Sequence, residues 1–552
     1  MKFRLTAGCA LALSATPLLA AEPDVASIDR VRADVEFLAN DLLEGREAGT
    51  RGHEIAALYV ASRFKALGLE PAGDEGTYFQ QVTLRAATLV PEQSSVVLTR
   101  GGKARTLPAN LLRPRPSLSA TDVTMEGELV FAGYGLDAPS LGIDDYEGLD
   151  VKGKIVVVLE GAPPGLPADI KSHLDKSRSD MAAAHGAIGY IAVSTSAADR
   201  ARRFYEMGET YPSSSWISPD GSTGALADGL KLRVSISPEG AETLFEGSDV
   251  SLDKLYDLAR GDAAQLPRFA LPGTLKAHAV STWDDFTSPN VVARLPGTDP
   301  ALADEHVAIV AHLDHLGTSE GDHGHGGYGR LGDKETKDKV YNGALDNAAG
   351  VAGMLEAARM FVEGEGPQQR SMLFMAVTAE EKGLLGAGYF ADNPTVPVED
   401  IIGVISSDMP VPLYDFGDIV AFGTEHNTLS ETIAAAAGTL GVSLSPDPMP
   451  EQSIFTRSDH YQFARKGIPA TLLFTGYGNG GQEIWADFFS RCYHKQCDDL
   501  SLPIKWDMLA RFATINYRIA NMLADANGRP LWYADSPMSE MLAPGAARAK
   551  RP

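Results

Sequence analysis

His312, Asp346, Glu380, Glu381, Asp408 and His494 stand at the downstream ends of apolar runs or in the short connections beyond them. Imidazole nitrogens and carboxylate oxygens are the ligands zinc takes, and hydrolytic two-metal sites hold their ions roughly 3.5 to 4 Å apart among such groups. Two histidines and three acids, with one acid shared between the ions, meet that need and leave a glutamate over. Side chains of adjacent residues diverge, so in Glu380-Glu381 one can ligate while the other takes a proton from an attacking water. Asp314 follows His312 by two positions and is placed to accept the second ring proton of that histidine. His315 reads as structural.

The elements that must position these groups are legible as runs. Val307 to Ala311, Met372 to Val377 and Ile401 to Ile405 are short, unalternating and mostly branched or bulky, the pattern of parallel strands buried on both faces. Each delivers polar residues beyond its carboxyl end, and open α/β sheets bind ligands in the crevice there. Between the first two runs lies Tyr341-Asn342-Gly343-Ala344-Leu345-Asp346-Asn347. After it, Val351, Met354, Leu355, Ala358, Phe361 and Val362 keep helical spacing. Asp346 therefore sits between a strand and a helix, where it either faces the crevice or caps the helix.

Taken together, these motifs resemble the co-catalytic dizinc aminopeptidases of clan MH, a group that includes secreted bacterial leucine aminopeptidases, glutamate carboxypeptidase II and the catalytically silent transferrin receptor. The resemblance is carried by His312-Leu313-Asp314-His315-Leu316-Gly317, Asn342-Gly343-Ala344-Leu345-Asp346-Asn347, Thr378-Ala379-Glu380-Glu381-Lys382-Gly383, Ser407-Asp408-Met409 and Tyr493-His494, in that order. It implies two Zn2+ ions: His312 and Asp408 on one, Glu381 and His494 on the other, and Asp346 bridging them with a cis peptide to Asn347. It also implies Glu380 as general base, and Arg457 and Tyr493 as stabilisers of the tetrahedral intermediate. The implied fold is α/β, a three-layer exopeptidase with a mixed, mainly parallel central sheet and helices on both faces. The implied activity is a secreted aminopeptidase acting on peptides with a free N-terminus. Carboxypeptidase or dipeptidase action on the same fold is the nearest alternative, and a binding protein on a silent scaffold is another. A glutaminyl cyclase of this fold works with one zinc, which leaves the full ligand set unexplained.

Composition bounds the class. The 552 residues carry a formal charge of −25 and are 44% hydrophobic, enough for more than one core and a poor match to nucleic acid or anionic lipid. Lys2 and Arg4 precede an apolar stretch from Leu5 to Ala20 ending in small residues, the pattern of a secretory signal over 1–21, with Cys9 an ordinary leader residue. Export to the periplasm or the medium is expected, without a later membrane span. Beyond the leader only Cys492 and Cys497 remain, and an even pair so close in an oxidising compartment reads as a disulfide bracketing Tyr493 and His494, two free thiols being the other reading.

Along the chain, 22–114 reads as the first part of the catalytic domain, with Val31, Val35, Leu38 and Leu42 at helical spacing and a second helix from His53 to Leu67. His53-Glu54 lacks the second histidine of a zincin, because position 57 is Ala. Residues 115–270 change texture: Leu129 to Gly135, Asp144-Asp145-Tyr146, Gly153 to Leu159 and Ala184 to Gly189 resemble a mainly-β protease-associated (PA) domain with its own small core. The chain returns through a turn at Ser288-Pro289-Asn290 into a strand, and 271–535 completes the catalytic domain. The segment from Thr318 to Lys339 reads as a glycine-rich loop with His323 and His325, and 536–552 as a disordered tail. Gly317-Thr318-Ser319-Glu320-Gly321 matches the serine-hydrolase elbow in letters, but no strand feeds the serine directly.

Overall fold

The computed structural model describes residues 25–195, 204–205, 208, 210, 212–224, 227, 229–261, 265–319, 337–364 and 368–552. The proposed leader, Cys9, His323 and His325 lie outside that set.

Strands His306–His312, Ser371–Val377, Ile401–Ser407 and Ala470–Thr475 run parallel at the centre of the main sheet. Every residue in these four is buried, which is why their sequences do not alternate. Antiparallel strands flank them: Asp418–Phe422 beside Ala470–Thr475, and the end of Arg268–Leu295 beside Ser371–Val377. The sheet is thus mixed, with a parallel centre. Helices Ile28–Leu38, Ala349–Glu363, Leu429–Gly438 and Trp506–Ala524 pack as one layer, while Leu385–Asp392 and His460–Ala464 add further cover.

Near the start, Thr50 caps helix Arg51–Ala66 by accepting the His53 N–H, so this helix begins two residues before His53. The spacing that would carry the first helix on to Leu42 fails. That helix ends at Leu38, a 3-10 turn Asp41–Arg46 follows, and Leu42 is 84% exposed. Asn40 accepts the Leu42 N–H from its side chain, a local bond that competes with continuing the helix.

A second sheet is built from Ser95–Arg100, Lys103–Leu107, Asp122–Ala132, Ile155–Leu159, Gly189–Val193 and the first half of Arg268–Leu295. It starts earlier than residue 115, because the strand from Ser95 pairs with 274–278 rather than with the main sheet. Nor does the chain return through a turn at Ser288. Arg268–Leu295 is one continuous strand of 28 residues that pairs first with Asp122–Ala132, then with Phe79–Leu89 and Ser371–Val377. Leu275, Ala277, Ala279 and Ser281 alternate inward along its first half, a period-2 signal that lapses over the more exposed residues 282–287. Val130, Ala132, Val156 and Val158 form part of a small core on one face of this sheet, and Phe131, Ile155 and Val157 join the main core on the other.

The tail is also structured. Pro537–Leu542 is helical, Arg548–Ala549 pairs with Trp532–Tyr533, and the Arg548 guanidinium donates to Ser539 O at 2.9 Å. Its basic residues, read as a sign of disorder, tie it down instead. Among the described residues no helix is long and apolar enough to cross a membrane.

Candidate active site

Past its last strand residue the first parallel strand continues as Leu313-Asp314-His315, all buried. The His312 Nδ1 lies 3.1 Å from the backbone carbonyl of Asp314, so that carbonyl, not the carboxylate, receives the ring proton. The Asp314 carboxylate is 3.9 Å from that nitrogen. It is taken up by the turn after the second strand, where it accepts the N–H groups of Glu380 at 3.1 Å and Glu381 at 3.3 Å. Asp314 thus couples two strand ends and shapes the Glu380-Glu381 turn. Burial raises its pKa to about 6.

The connection holding Asp346 departs from ordinary helix geometry. The Asp346-Asn347 peptide bond is cis. Gly343 has φ +60°, and a Cβ there would come within 2.2 Å of Asp346 O and 2.6 Å of the His315 ring, so only glycine fits. Asn347, not Asp346, serves the helix: its Oδ1 accepts the Gly350 N–H at 3.0 Å. Asp346 is left to face the crevice. Its N–H and that of Leu345 are held by the two carboxylate oxygens of Asp498 at 3.0 and 2.8 Å.

Around Asp346 the geometry is two-sided. Asp346 Oδ1 lies 3.2 Å from His312 Nε2, which is also 3.2 Å from Asp408 Oδ1. Asp346 Oδ2 lies 3.2 Å from His494 Nε2, which is also 3.2 Å from Glu381 Oε2. His315 Nδ1 meets the other Glu381 oxygen at 2.7 Å, so His315 touches the site rather than standing apart from it. Ser458 donates to Asp408 Oδ2 at 2.8 Å. Each imidazole edge therefore points at two carboxylate oxygens, where a cation belongs. Against the penalty of burial, those carboxylates raise the pKa of His312 and His494 well above the ordinary range. The imidazoles in turn hold Asp346 well below the usual carboxylate range and Glu381 at about 2, again against burial. His312, Asp346 and Asp408 offer atoms within 4.8 Å of one another, and so do His315, Asp346 and Glu381. Two adjoining nitrogen and oxygen donor sets that share one aspartate fit a pair of divalent cations.

Glu380, Arg457 and Tyr493 line the same cavity as His312, Asp346, Asp408 and His494, closed on its apolar side by Met409, Ile454, Leu472, Phe474 and Phe489. Burial pushes the Glu380 carboxyl well above the ordinary range, and the charge of Glu381 adds to it. The Tyr493 ring stacks on His494 with centroids 3.8 Å apart, and burial with the nearby Asp346 keeps its hydroxyl protonated. Cys492 and Cys497 are joined in a disulfide around this pair.

Three contributors escape the motif reading. Arg46 is fully buried behind the site and donates to the carbonyls of Leu38, Leu313 (3.0 Å), Asn342 (2.6 Å) and Gly343 (3.1 Å). Asp498 directly follows Cys497, and burial raises its pKa to about 7. Asp459 is buried with neither carboxylate oxygen meeting a donor. Only the acid next to the disulfide carried a positional hint.

The architecture is thus an α/β sheet whose strand ends and connections gather histidine and carboxylate groups that could hold metal. Residues 290–520, the segment that holds the site, match the profile of Peptidase family M28. The chain is 31% identical over 183 residues to leupeptin-inactivating enzyme 1 of Streptomyces exfoliatus, a match covering 30% of this chain and 38% of that protein. It is 29% identical over 206 residues to aminopeptidase Y of Saccharomyces cerevisiae, covering 35% and 34%. The chain thus spans little more than a third of the length of these relatives. Among solved structures, an aminopeptidase from Aneurinibacillus sp. strain AM-1 aligns with a TM-score of 0.45 at 19% identity, covering 91% of this chain and 95% of that one.

Proposed function

We propose that this protein is an exported zinc-dependent aminopeptidase that removes the N-terminal residue from peptides. The observation that carries the reading is the placing of the two Asp346 oxygens, each 3.2 Å from a different imidazole that has its own second carboxylate. His312, Asp346 and Asp408 would hold one zinc, and Asp346, Glu381 and His494 the other. The M28 match and the names of the two curated relatives, an aminopeptidase and a peptide-inactivating enzyme, support the same class. The disulfide agrees with an oxidising compartment.

When bound, such ions supply Lewis acidity and lower the pKa of water towards ~7. The chain's own residues do the rest. Glu380, poised high by burial, accepts the proton of the attacking water and returns it to the leaving amine. Tyr493 keeps its O–H and donates to the developing oxyanion, with the Arg457 guanidinium at the cavity edge adding positive charge. Met409, Ile454, Phe474 and Phe489 exclude water from the apolar side of the cavity. A silent scaffold is disfavoured because no donor of either set is missing.

The test is paired. Glu380→Gln should retain both zincs, counted by elemental analysis, while turnover drops by roughly 10² to 10⁴. Asp346→Ala should lose metal. Peptides with a blocked N-terminus should be refused, and their cleavage at the rate of free ones would remove the aminopeptidase reading.

A further inference from the structure

Outside the active-site cavity, a second group of nitrogen and oxygen donors converges where helix Ala168–Ala184 reaches the main sheet. This helix lies between strands Ile155–Leu159 and Gly189–Val193 in the chain and docks on the turns Pro450–Gln452 and Ile454–Thr456 that precede Arg457. Ser172 Oγ meets Thr456 Oγ1 at 2.6 Å, and Ser453 Oγ donates to Ala168 O at 3.0 Å. At the start of the helix, Asp169 faces Glu425 and His426, which sit in the turn after strand Asp418–Phe422. One atom from each of the three lies within 4.8 Å of the others. Asp169 Oδ2 is 2.5 Å and Glu425 Oε1 is 3.7 Å from His426 Nε2.

The far side of each donor is already fixed. Ser536 Oγ lies 2.9 Å from His426 Nδ1 and can take the ring proton there, which leaves the Nε2 lone pair towards the carboxylates. Asp169 Oδ1 accepts the Ile170 N–H at 2.8 Å, and Glu425 Oε2 accepts the Gly423 N–H at 3.0 Å. The Phe455 ring packs on the imidazole with centroids 5.5 Å apart. Each side chain thus spends one polar atom on its own orientation and turns another inward. Charge leaves the set incomplete. Among the described residues neither carboxylate has a lysine or arginine partner, and a protonated His426 would balance only one of the two. The Glu425 side chain is 47% exposed, so an ion can enter from solvent, whereas those of Asp169 and His426 are 14% and 8% exposed and would hold it in a drier place.

We propose that Asp169, Glu425 and His426 form a further divalent-cation site, suited to zinc, that clips helix Ala168–Ala184 to the main sheet. One imidazole nitrogen and two carboxylate oxygens are zinc donors, and a water from the exposed side would fill the fourth position. A dication neutralises both carboxylates while the ring stays neutral, which a histidine proton cannot do. The clip holds the helix against the turns that lead to Arg457, at the wall of the active-site cavity. Asp169 comes from outside residues 290–520, so the site exists only where both parts of the chain pack together. It depends on neither the aminopeptidase reading nor the metal pair around Asp346.

The experiment counts zinc per chain by elemental analysis after equilibrium dialysis of the wild-type protein and Glu425→Gln against the same series of buffered free-zinc levels. Glu425→Gln keeps the shape of a half-exposed side chain, so the fold is not at stake. Over the range in which the site fills, the variant should hold one zinc fewer than wild type, its affinity there falling by at least about tenfold. Asp346→Ala, with all three donors intact, should retain that one zinc, and adding Glu425→Gln to it should remove the ion. Zinc supplied beyond the active-site pair should raise the melting temperature of wild type and not that of Glu425→Gln. Equal counts for wild type and Glu425→Gln at every free-zinc level overturn the site and leave an ordinary His–Asp pair in its place. A wild-type count of one that Glu425→Gln takes to zero supports this site and overturns the metal pair instead.

Discussion

Replacing Arg46 by lysine probes the support behind the metal crevice more sharply than any ligand change. The guanidinium donates to four backbone carbonyls from three segments: the end of the first helix, the loop after the strand of His312, and the Asn342-Gly343 turn before Asp346. Hydrogen bonds from a charged donor contribute about 1.5–3 kcal/mol each. An ammonium on a shorter, differently shaped head can reach one or two of the four. Burial already lowers the Arg46 pKa from 12.5 to about 10, a cost of about 3 kcal/mol that a buried lysine would carry as well. The carbonyls left without donors therefore set the balance, and Arg46→Lys should lose about 3–6 kcal/mol, a large part of a domain's usual 5–15 kcal/mol. Because two of the orphaned segments carry His312 and Asp346, zinc affinity should fall by about 10- to 100-fold. Urea unfolding followed by circular dichroism gives the first quantity, and competition with a chromogenic chelator gives the second. An unfolding midpoint and a zinc affinity both equal to wild type would refute the idea that Arg46 holds these loops in place.

Reducing the Cys492–Cys497 disulfide, with its sequence separation of 5, should cost about 2 kcal/mol in thermal unfolding and weaken the zinc shared by Glu381 and His494 before the other. Equal release of both ions on reduction would contradict a local effect. Asp145, buried beside the turn that follows strand Asp122–Ala132, has its pKa raised to about 6 by burial, with the Leu136 N–H bond pulling the other way. A folded-state pKa above the unfolded value of 3.8 makes the neutral carboxyl the favoured form in the fold. Its contribution is full below pH 3.8 and lost as pH rises through 6. Asp145→Asn should therefore gain on wild type by up to about 3 kcal/mol between pH 4 and pH 7, and a pH-independent difference in melting temperature would rule this out.

Much of the site was legible because parallel strands buried on both faces write themselves as unbroken apolar runs. Val307 to Ala311, Met372 to Val377 and Ile401 to Ile405 mark where the strands end, and donors placed just past those ends must meet at one edge of the sheet. Asp346 shows where that reasoning stops. Spacing left it open between helix cap and crevice, and the choice fell to Asn347 taking the cap and Asp498 holding the Asp346 N–H. The carboxylate of Asp314 shows the same limit, since two residues of separation placed it near His312 but could not reveal that the Glu380 and Glu381 amides would claim it.

Sequence by itself determined the donor set, the strands that deliver it, the cysteine pair and the class of chemistry, because each is expressed in local residue order. Tertiary structure alone decided that Arg46 closes the back of the crevice from 267 residues away, that Arg268–Leu295 belongs to two sheets at once, and that helix Ala168–Ala184 docks on the turns before Arg457 through Ser172 and Thr456. Those outcomes depend on which buried polar groups find partners when distant segments pack. A carbonyl or a charge has no partner written beside it in the chain, and only the folded arrangement supplies one.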